Sequence, residues 1–89
     1  MKNQNKHNIM EAIYLKRNTK IGYQYFVKIT LKGIIKVDDE CIHRKELDGT
    51  IQNELDWFKS VYECIDATKK EYDDFYIKTA NYINELNNL

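Results

Sequence analysis

The densest run of potential metal ligands in the chain is Asp38 to His43, which reads Asp-Asp-Glu-Cys-Ile-His. On a strand, the Cys41 and His43 side chains point to the same side and Asp39 can approach them, which would suit a zinc ion. A Cys-x-x-Cys or His-x-x-x-His pair that would complete such a site is missing from the sequence. We therefore interpret the run as an acidic turn, a core cysteine and an edge histidine, and we expect no metal and no other cofactor.

Few groups in the sequence are suited to acid–base or nucleophilic catalysis. The two histidines are His7 and His43, and the three glycines form neither a nucleophile motif nor a phosphate-binding loop. The acids Asp73 and Asp74 are adjacent, so on a helix their side chains would point about 100° apart. We therefore expect a protein that is not an enzyme.

Aromatic and basic residues are interleaved in the first half of the chain. Tyr23, Tyr25 and Phe26 lie among lysines, a pattern that resembles the base-stacking platforms of single-stranded RNA binders. Strand alternation places the two tyrosines on the face that we assign to the core, so their predicted role is packing. Phe26 is left on the opposite, open face. We predict a partner-binding surface around Phe26, Lys28 and Lys32.

Acidic residues in the second half form the other predicted partner-binding surface. It comprises Asp66, Glu71, Asp73 and Asp74. Such a set can imitate the phosphates of a nucleic acid, but it is also typical of an ordinary solvated helix face. Lysines in the same stretch dilute its charge.

A net charge of zero conceals a division between the two halves of the chain. Residues 1–45 hold ten Lys or Arg against four Asp or Glu, and residues 46–89 hold four against ten, so the halves carry +6 and −6. A basic first half can bind nucleic acid or an acidic partner. Opposite halves can also pair between two copies, which leaves room for a homodimer.

Residues 50–88 contain no Gly and no Pro, and their apolar side chains recur at helical spacings of three and four. The stripe consists of Ile51, Leu55, Phe58, Tyr62, Ile65, Tyr72, Tyr76, Ile83 and Leu86. A flanking stripe that includes Trp57 and Val61 broadens the apolar face, so the first helix should lie on a sheet. Asp48 or Thr50 can cap its start.

Thr68 to Glu71 reads as a capping box, in which a hydroxyl and a carboxylate bond each other's backbone amides. We therefore expect the first helix to end near Ala67 and a second one to run from Thr68 or Lys69 to about Asn87. Without that break, a single helix of nearly forty residues would project and pair as a coiled coil.

Residues 22–37 carry the clearest strand pattern, because apolar and polar side chains alternate along them. If one face of the sheet packs in the core and the other faces solvent, a two-residue turn at Lys32-Gly33 would put Ile35 and Val37 on the solvent face. We therefore predict one long strand with a bend or bulge at Gly33. A three-residue loop over 32–34 keeps the same phase and is the alternative.

Shorter strands are predicted on both sides of this one. Residues 12–16 are the preferred first strand, and a helix over 8–17 that opens with a capping box is the alternative. Asp38 and Asp39 form a favourable turn, and residues 40–44 would return as a short strand.

Together these elements predict a single α+β domain over residues 1–89. A three-stranded antiparallel β-meander over 9–45 would pack against two C-terminal α-helices within 50–88, and residues 1–7 would be a mobile arm. No apolar run is long enough to cross a membrane, and the first residues lack the apolar core of a secretory signal. We therefore expect a cytoplasmic protein.

The functional expectation is a small interaction protein. The abundance of Asn, Lys, Ile and Tyr is typical of AT-rich coding, which favours an origin in a low-GC bacterium or its phages and plasmids. The main hypothesis is an inhibitor that binds a host or defence macromolecule, either another protein or a protein–nucleic acid complex. The alternative is a nucleic-acid-binding regulator that uses the basic N-terminal half.

Overall fold

The fold is α+β, as the sequence predicts, and a computed structural model describes it for residues 12–89. In chain order the elements are β1 (Ile13–Arg17), β2 (Tyr25–Thr30), β3 (Gly33–Asp38), β4 (Ile42–Lys45), α1 (Ile51–Ser60), β5 (Cys64–Asp66) and α2 (Lys69–Asn87). The predicted arm, residues 1–7, and the first part of the alternative helix over 8–17 lie outside the described residues. Residues Ile13–Arg17 form a strand, as in the preferred prediction, and not part of the alternative helix.

The part of the sheet formed by residues 12–89 has five strands where we predicted three. They are all antiparallel and lie in the order β4-β3-β2-β1-β5. The predicted first strand is β1 and the predicted returning strand is β4, the predicted long strand is divided into β2 and β3, and β5 is added beside β1. β5 comes from a part of the chain that we assigned to the first helix.

Each face of the sheet is packed against one helix, whereas we predicted one buried face and one open face. On the α1 face, α1 packs over β2 and β5 and meets a core that includes Leu15, Val27 and Ile29. On the opposite face, the α2 face, α2 crosses β1 to β4, and its aromatic rings meet Tyr14 and Phe26. A sheet with helices on both faces needs apolar residues at odd and even positions of its strands.

A two-residue turn at Leu31-Lys32 joins β2 to β3, so the predicted long strand through Gly33 is wrong. Thr30 pairs with Gly33 across the turn. Gly33 has a φ of +137°, and a Cβ there would lie 2.7 Å from the backbone oxygen of Lys45. A residue with a side chain would therefore be strained and would also collide with β4.

This turn sends successive residues of β3 to opposite faces. Ile34 joins the core of the α1 face, and Ile35 and Val37 point toward α2. We rejected a two-residue turn at Lys32-Gly33, one position further along, because it would put these last two residues on the solvent face. Because α2 covers that face, Val37 is instead fully buried.

The first helix ends at Ser60, well before the predicted break near Ala67. The chain turns at Glu63, whose φ of 56° lies in the left-handed region, and β5 then pairs with β1. The alternative prediction of one long projecting helix is therefore wrong. Val61, Tyr62 and Ile65, in and just before β5, are β-branched or aromatic, which favours extended backbone. Their spacing of three and four also fits a helix, and that coincidence misled the helical prediction.

Both predicted helix starts are confirmed. The Thr50 hydroxyl accepts the backbone N–H of Asn53 at 3.0 Å and caps α1. At the start of α2, the Glu71 N–H donates to the Thr68 hydroxyl at 3.0 Å, and the Thr68 N–H donates to the Glu71 carboxylate at 2.9 Å. Such caps satisfy amides that the helix itself leaves without partners, and each contributes about 1 kcal/mol.

The nineteen residues of α2 span about 28 Å, so the helix is longer than the width of the sheet that it covers. Thr79 is buried, and its hydroxyl donates to the backbone oxygen of Asp38 at 2.6 Å. Further along α2, Tyr82 and Leu86 are exposed. Within residues 12–89, no helix combines the length and the apolar composition that a membrane span requires.

Candidate functional site

Phe26 lies beneath α2 and not on an open surface, which corrects our prediction. Its ring centroid is 4.9 Å from that of Phe75, and its strand partner Val37 is fully buried. Lys28 is half-buried on the same face, and Lys32 is exposed in the β2–β3 turn. The structure therefore does not gather Phe26, Lys28 and Lys32 on one open surface.

Each of the four acids in the predicted acidic surface lies in an ion pair. The pairs are Asp66 with Lys59 at 2.9 Å, Glu71 with Lys16 at 2.6 Å, Asp73 with Lys69 at 2.6 Å and Asp74 with Lys70 at 2.7 Å. Hydrogen bonds from Lys16 and Thr68 hold the pKa of Glu71 below its usual range. An ammonium beside every carboxylate weakens the negative field of the stretch, whose binding role stays a prediction.

The predicted metal-ligand run is organised by hydrogen bonds to the Asp38 carboxylate. Its Oδ1 accepts the N–H groups of Glu40 and Cys41 at 2.9 and 2.7 Å. Its Oδ2 accepts the Tyr23 hydroxyl at 2.8 Å and lies 3.3 Å from His43 Nε2. Burial alone would raise the pKa of Asp38, but these hydrogen bonds together hold it below its usual value. Asp38 thus anchors the β3–β4 turn and the ring of Tyr23.

A metal site does not assemble around this run. Within residues 12–89, no group of three or more His, Cys, Asp or Glu side chains comes close enough to hold a metal ion. The Cys41 side chain is exposed, and Cys64 is buried elsewhere on the sheet.

A cleft of about 760 Å³ opens on the α1 face, at a place that the sequence prediction did not single out. Because α1 packs over β2 and β5, β4 and part of β3 stay uncovered on this face, although Ile34 of β3 is buried in the core. The cleft lies between these two strands and the side of α1. Its lining includes Arg17, Tyr23, Lys36, Lys45, Trp57 and Tyr62. Its volume lies within the range that is usual for ligand sites, about 300–1,000 Å³.

Cations and aromatic rings are in contact inside the cleft. Lys36 Nζ lies 4.6 Å from the centroid of Tyr25 and 5.2 Å from that of Tyr23. The same ammonium donates to the Tyr23 hydroxyl at 3.0 Å. The Arg17 guanidinium lies 5.8 Å from the Tyr23 centroid and donates to the Tyr23 backbone oxygen. These contacts hold both the rings and the charges in place before any ligand arrives.

The cleft carries more positive than negative charge. Lys36 is partly balanced by Asp38, because both bond the same tyrosine hydroxyl. Arg17 and Lys45 form no ion pair with an acid of residues 12–89. Among the lining residues within 12–89, Glu63 alone is acidic. An anionic ligand would therefore find two cations, Arg17 and Lys45, that no carboxylate in the described part of the chain neutralises.

Three aromatic residues of the cleft are exposed: Tyr23, which precedes β2, Trp57 in the last turns of α1 and Tyr62 in the turn that follows α1. Trp57 and Tyr62 are each 50% exposed, and their rings meet edge to face at 5.9 Å and 76°. We predicted both on stripes facing the sheet, yet of the adjacent pair Trp57 and Phe58 only Phe58 is buried. Adjacent helical residues point about 100° apart. The Trp-Phe doublet was therefore a signal in the sequence that one of the two rings would stay outside the core.

A buried thiol and a buried phenol meet at one side of the cleft. The Cys64 Sγ lies 3.5 Å from the Tyr25 hydroxyl. Burial raises the pKa of both groups, so each stays protonated at neutral pH. A protonated, buried thiol is a poor nucleophile, and we assign this pair to packing.

Three comparisons with known proteins were made, and no protein-family model, curated protein or solved structure matches this chain. The geometry of the cleft therefore carries the functional proposal.

Proposed function

We propose that the protein is a non-catalytic nucleic-acid-binding regulator and that the cleft on the α1 face is its binding site. The observation that supports this best is that Arg17, Lys36 and Lys45 line the same open cleft as Tyr23, Trp57 and Tyr62. Cations attract phosphates, and exposed rings stack on bases, so the two sets match the two chemical parts of a nucleotide. This corresponds to the alternative that the basic N-terminal half suggests.

The state of two titratable groups near the cleft, Asp38 and Cys64, is better suited to binding than to catalysis. The Asp38 carboxylate already accepts hydrogen bonds from two backbone amides and a tyrosine, and its pKa is lowered, so it is a weak base. Cys64 is buried and protonated. Neither group is placed to exchange a proton or attack a ligand in the cleft.

The test is fluorescence anisotropy with a mixture of labelled single-stranded and duplex oligonucleotides between 25 and 200 mM salt. Three phosphate contacts predict a slope of log affinity against log salt of about −2 to −3. Lys45→Ala should weaken binding by about 3- to 10-fold and make the slope less negative by about one. The matched control is Lys78→Ala, which removes an equal charge from an exposed position on α2 and should leave binding unchanged.

Two results would contradict the proposal. One is the absence of binding to any of the oligonucleotides at the lowest salt concentration. The other is an equal loss of affinity in Lys45→Ala and Lys78→Ala, since that would mean that charge attracts the ligand without any specific site.

A second candidate function is inhibition of a host or defence macromolecule through protein binding, and the exposure of Trp57 and Tyr62 favours it. Trp, Tyr and Arg are the residues most enriched among the energetic centres of protein interfaces. A protein captured specifically by the wild type should be lost with Trp57→Ala and retained with Lys78→Ala. Retention of that protein by both variants would exclude the cleft as its contact.

A further inference from the structure

The orientation of Trp57 bears on which form of nucleic acid the cleft can take. Half of the Trp57 surface is exposed, and Tyr62 meets the indole edge to face. An edge-to-face pair keeps its two rings nearly perpendicular, so a flat ligand can lie along one of them without displacing the other. Trp57 therefore offers stacking surface at the border of the cleft.

The charge differs on the two sides of Trp57. On one side lies the cleft, with Arg17 and Lys36. On the other side lies a smaller depression of about 530 Å³, whose lining includes Asp48 and the largely buried Glu54. Trp57, Tyr62 and Lys45 line both depressions and so form the ridge between them. Phosphates are attracted to the first side, whereas on the second side Asp48 and Glu54 offset the charge of Lys45. This difference favours a base, and not the backbone, in the second depression.

We infer that the cleft binds single-stranded nucleic acid, with one unpaired base stacked on Trp57 and the adjoining phosphates on Arg17, Lys36 and Lys45. This inference rests on the proposed function and narrows its ligand class. In a duplex the bases are stacked on one another and only their edges are accessible, so no base can reach the indole unless the helix opens. A free strand meets no such barrier, and base–aromatic stacking tolerates any base.

The chain supplies its own probe for this inference, because Trp57 is its sole tryptophan. A base stacked on the indole should quench the intrinsic emission, whereas phosphate contacts alone should not. The experiment titrates the wild-type protein at 50 mM salt with a 12-nucleotide single strand and, separately, with the corresponding 12-base-pair duplex. Anisotropy of the labelled oligonucleotides is followed in parallel.

We expect the single strand to quench the emission with the same midpoint as the anisotropy change, and the duplex to bind at least tenfold more weakly without quenching. Trp57→Ala should weaken single-strand binding by about 5- to 100-fold, and Trp57→Phe, which keeps a ring, should recover most of it. The matched control is Tyr82→Ala, an exposed aromatic residue on α2, which should bind like the wild type. The quenching measurement uses the wild-type protein and so stands even if Trp57→Ala folds poorly.

The two proposals fail in different ways. Equal affinity for single strand and duplex, with no change in emission, would overturn the single-strand inference and leave nucleic-acid binding intact. A lack of binding to both would overturn the proposed function itself. Quenching that is unaffected by salt would point to a ligand held by its rings alone and would contradict the phosphate contacts.

Discussion

The two faces of the sheet differ in how far one helix covers them. α2 has nineteen residues and crosses four strands, so the aromatic residues of its face pack against it. α1 has ten residues and packs over two strands, which leaves the cations of β3 and β4 in contact with water. The length and crossing position of a helix thus decide which part of a sheet becomes core and which part can bind a ligand.

The same difference explains where charged residues are tolerated. On the α2 face, Lys16 is half-buried and paired with Glu71. On the α1 face, Lys45 is exposed and forms no ion pair with an acid of residues 12–89. The ion pair with Glu71 offsets part of the desolvation of Lys16 under the helix, whereas a charge in an open cleft remains hydrated until a ligand arrives.

Truncation of one core residue on each face should give the largest effects. Leu15→Ala, at a fully buried position beneath α1, should reduce the free energy of unfolding by about 3–4 kcal/mol. Phe26→Ala, at a half-buried position beneath α2, should cost about 2 kcal/mol. Urea denaturation monitored by circular dichroism measures both values.

This pair tests whether the α2 face is really covered. If Phe26 stood on an open surface, its truncation would change stability by no more than about 0.5 kcal/mol. A value that small would restore our original assignment of this face to solvent. Tyr82→Ala, on the exposed part of α2, is the control for a neutral aromatic truncation.

Asp38 connects the two faces, since its carboxylate bonds Tyr23 on the α1 face and its backbone oxygen accepts the Thr79 hydroxyl of α2. Asp38→Ala should cost about 2 kcal/mol at neutral pH, because two amides and a phenol lose their acceptor. The pKa of Asp38 is lower in the folded than in the unfolded protein. Its contribution is therefore complete above about pH 4, the unfolded value, and is lost as the pH falls through the folded value.

Acid titration of stability checks the sign of this effect. Asp38→Asn should flatten the loss of stability below about pH 4, since the amide does not titrate. Asp39→Asn, at the exposed neighbouring position, should keep the wild-type profile. An identical acid profile in both variants would show that the Asp38 carboxylate does not anchor the turn.

The smallest predicted effects on stability come from removing one buried tyrosine hydroxyl on each face. The Tyr25 hydroxyl bonds Cys64 on the α1 face, so Tyr25→Phe should cost about 1 kcal/mol. Burial raises the pKa of Tyr72 to about 12, and its hydroxyl has no partner among residues 12–89. Tyr72→Phe should therefore leave stability unchanged or raise it by up to about 1 kcal/mol. A cost for Tyr72→Phe equal to that for Tyr25→Phe would indicate that the Tyr72 hydroxyl is satisfied.

Much of the fold could be predicted from local patterns. Thr50 and the Thr68–Glu71 capping box identified both helix starts, because a cap depends on residues only three positions apart. The strand at β1 and the returning strand at β4 followed from short-range pattern and turn residues. The turn at Leu31-Lys32 and the strand β5 were missed, since each depended on what covers the sheet or extends its edge.

The candidate site was predicted only in part. The sequence indicated the mixture of tyrosines and lysines in the first half of the chain, and Tyr23, Tyr25 and Lys36 do meet in the cleft. It did not indicate that Trp57 and Tyr62 would join them, because we assigned both to a sheet-facing stripe. It also suggested Phe26 as an exposed contact, although α2 covers this residue.

The sequence alone determined the class of the fold, the places where the helices start and the chemical character of each segment, because these depend on neighbours a few positions away. Only the tertiary structure decided which face each segment presents and which charges remain unpaired. Solvent exposure is a property of packing between distant segments, and the lengths of α1 and α2 relative to the sheet determine it here. The cleft exists because the shorter helix leaves β4 and part of β3 uncovered.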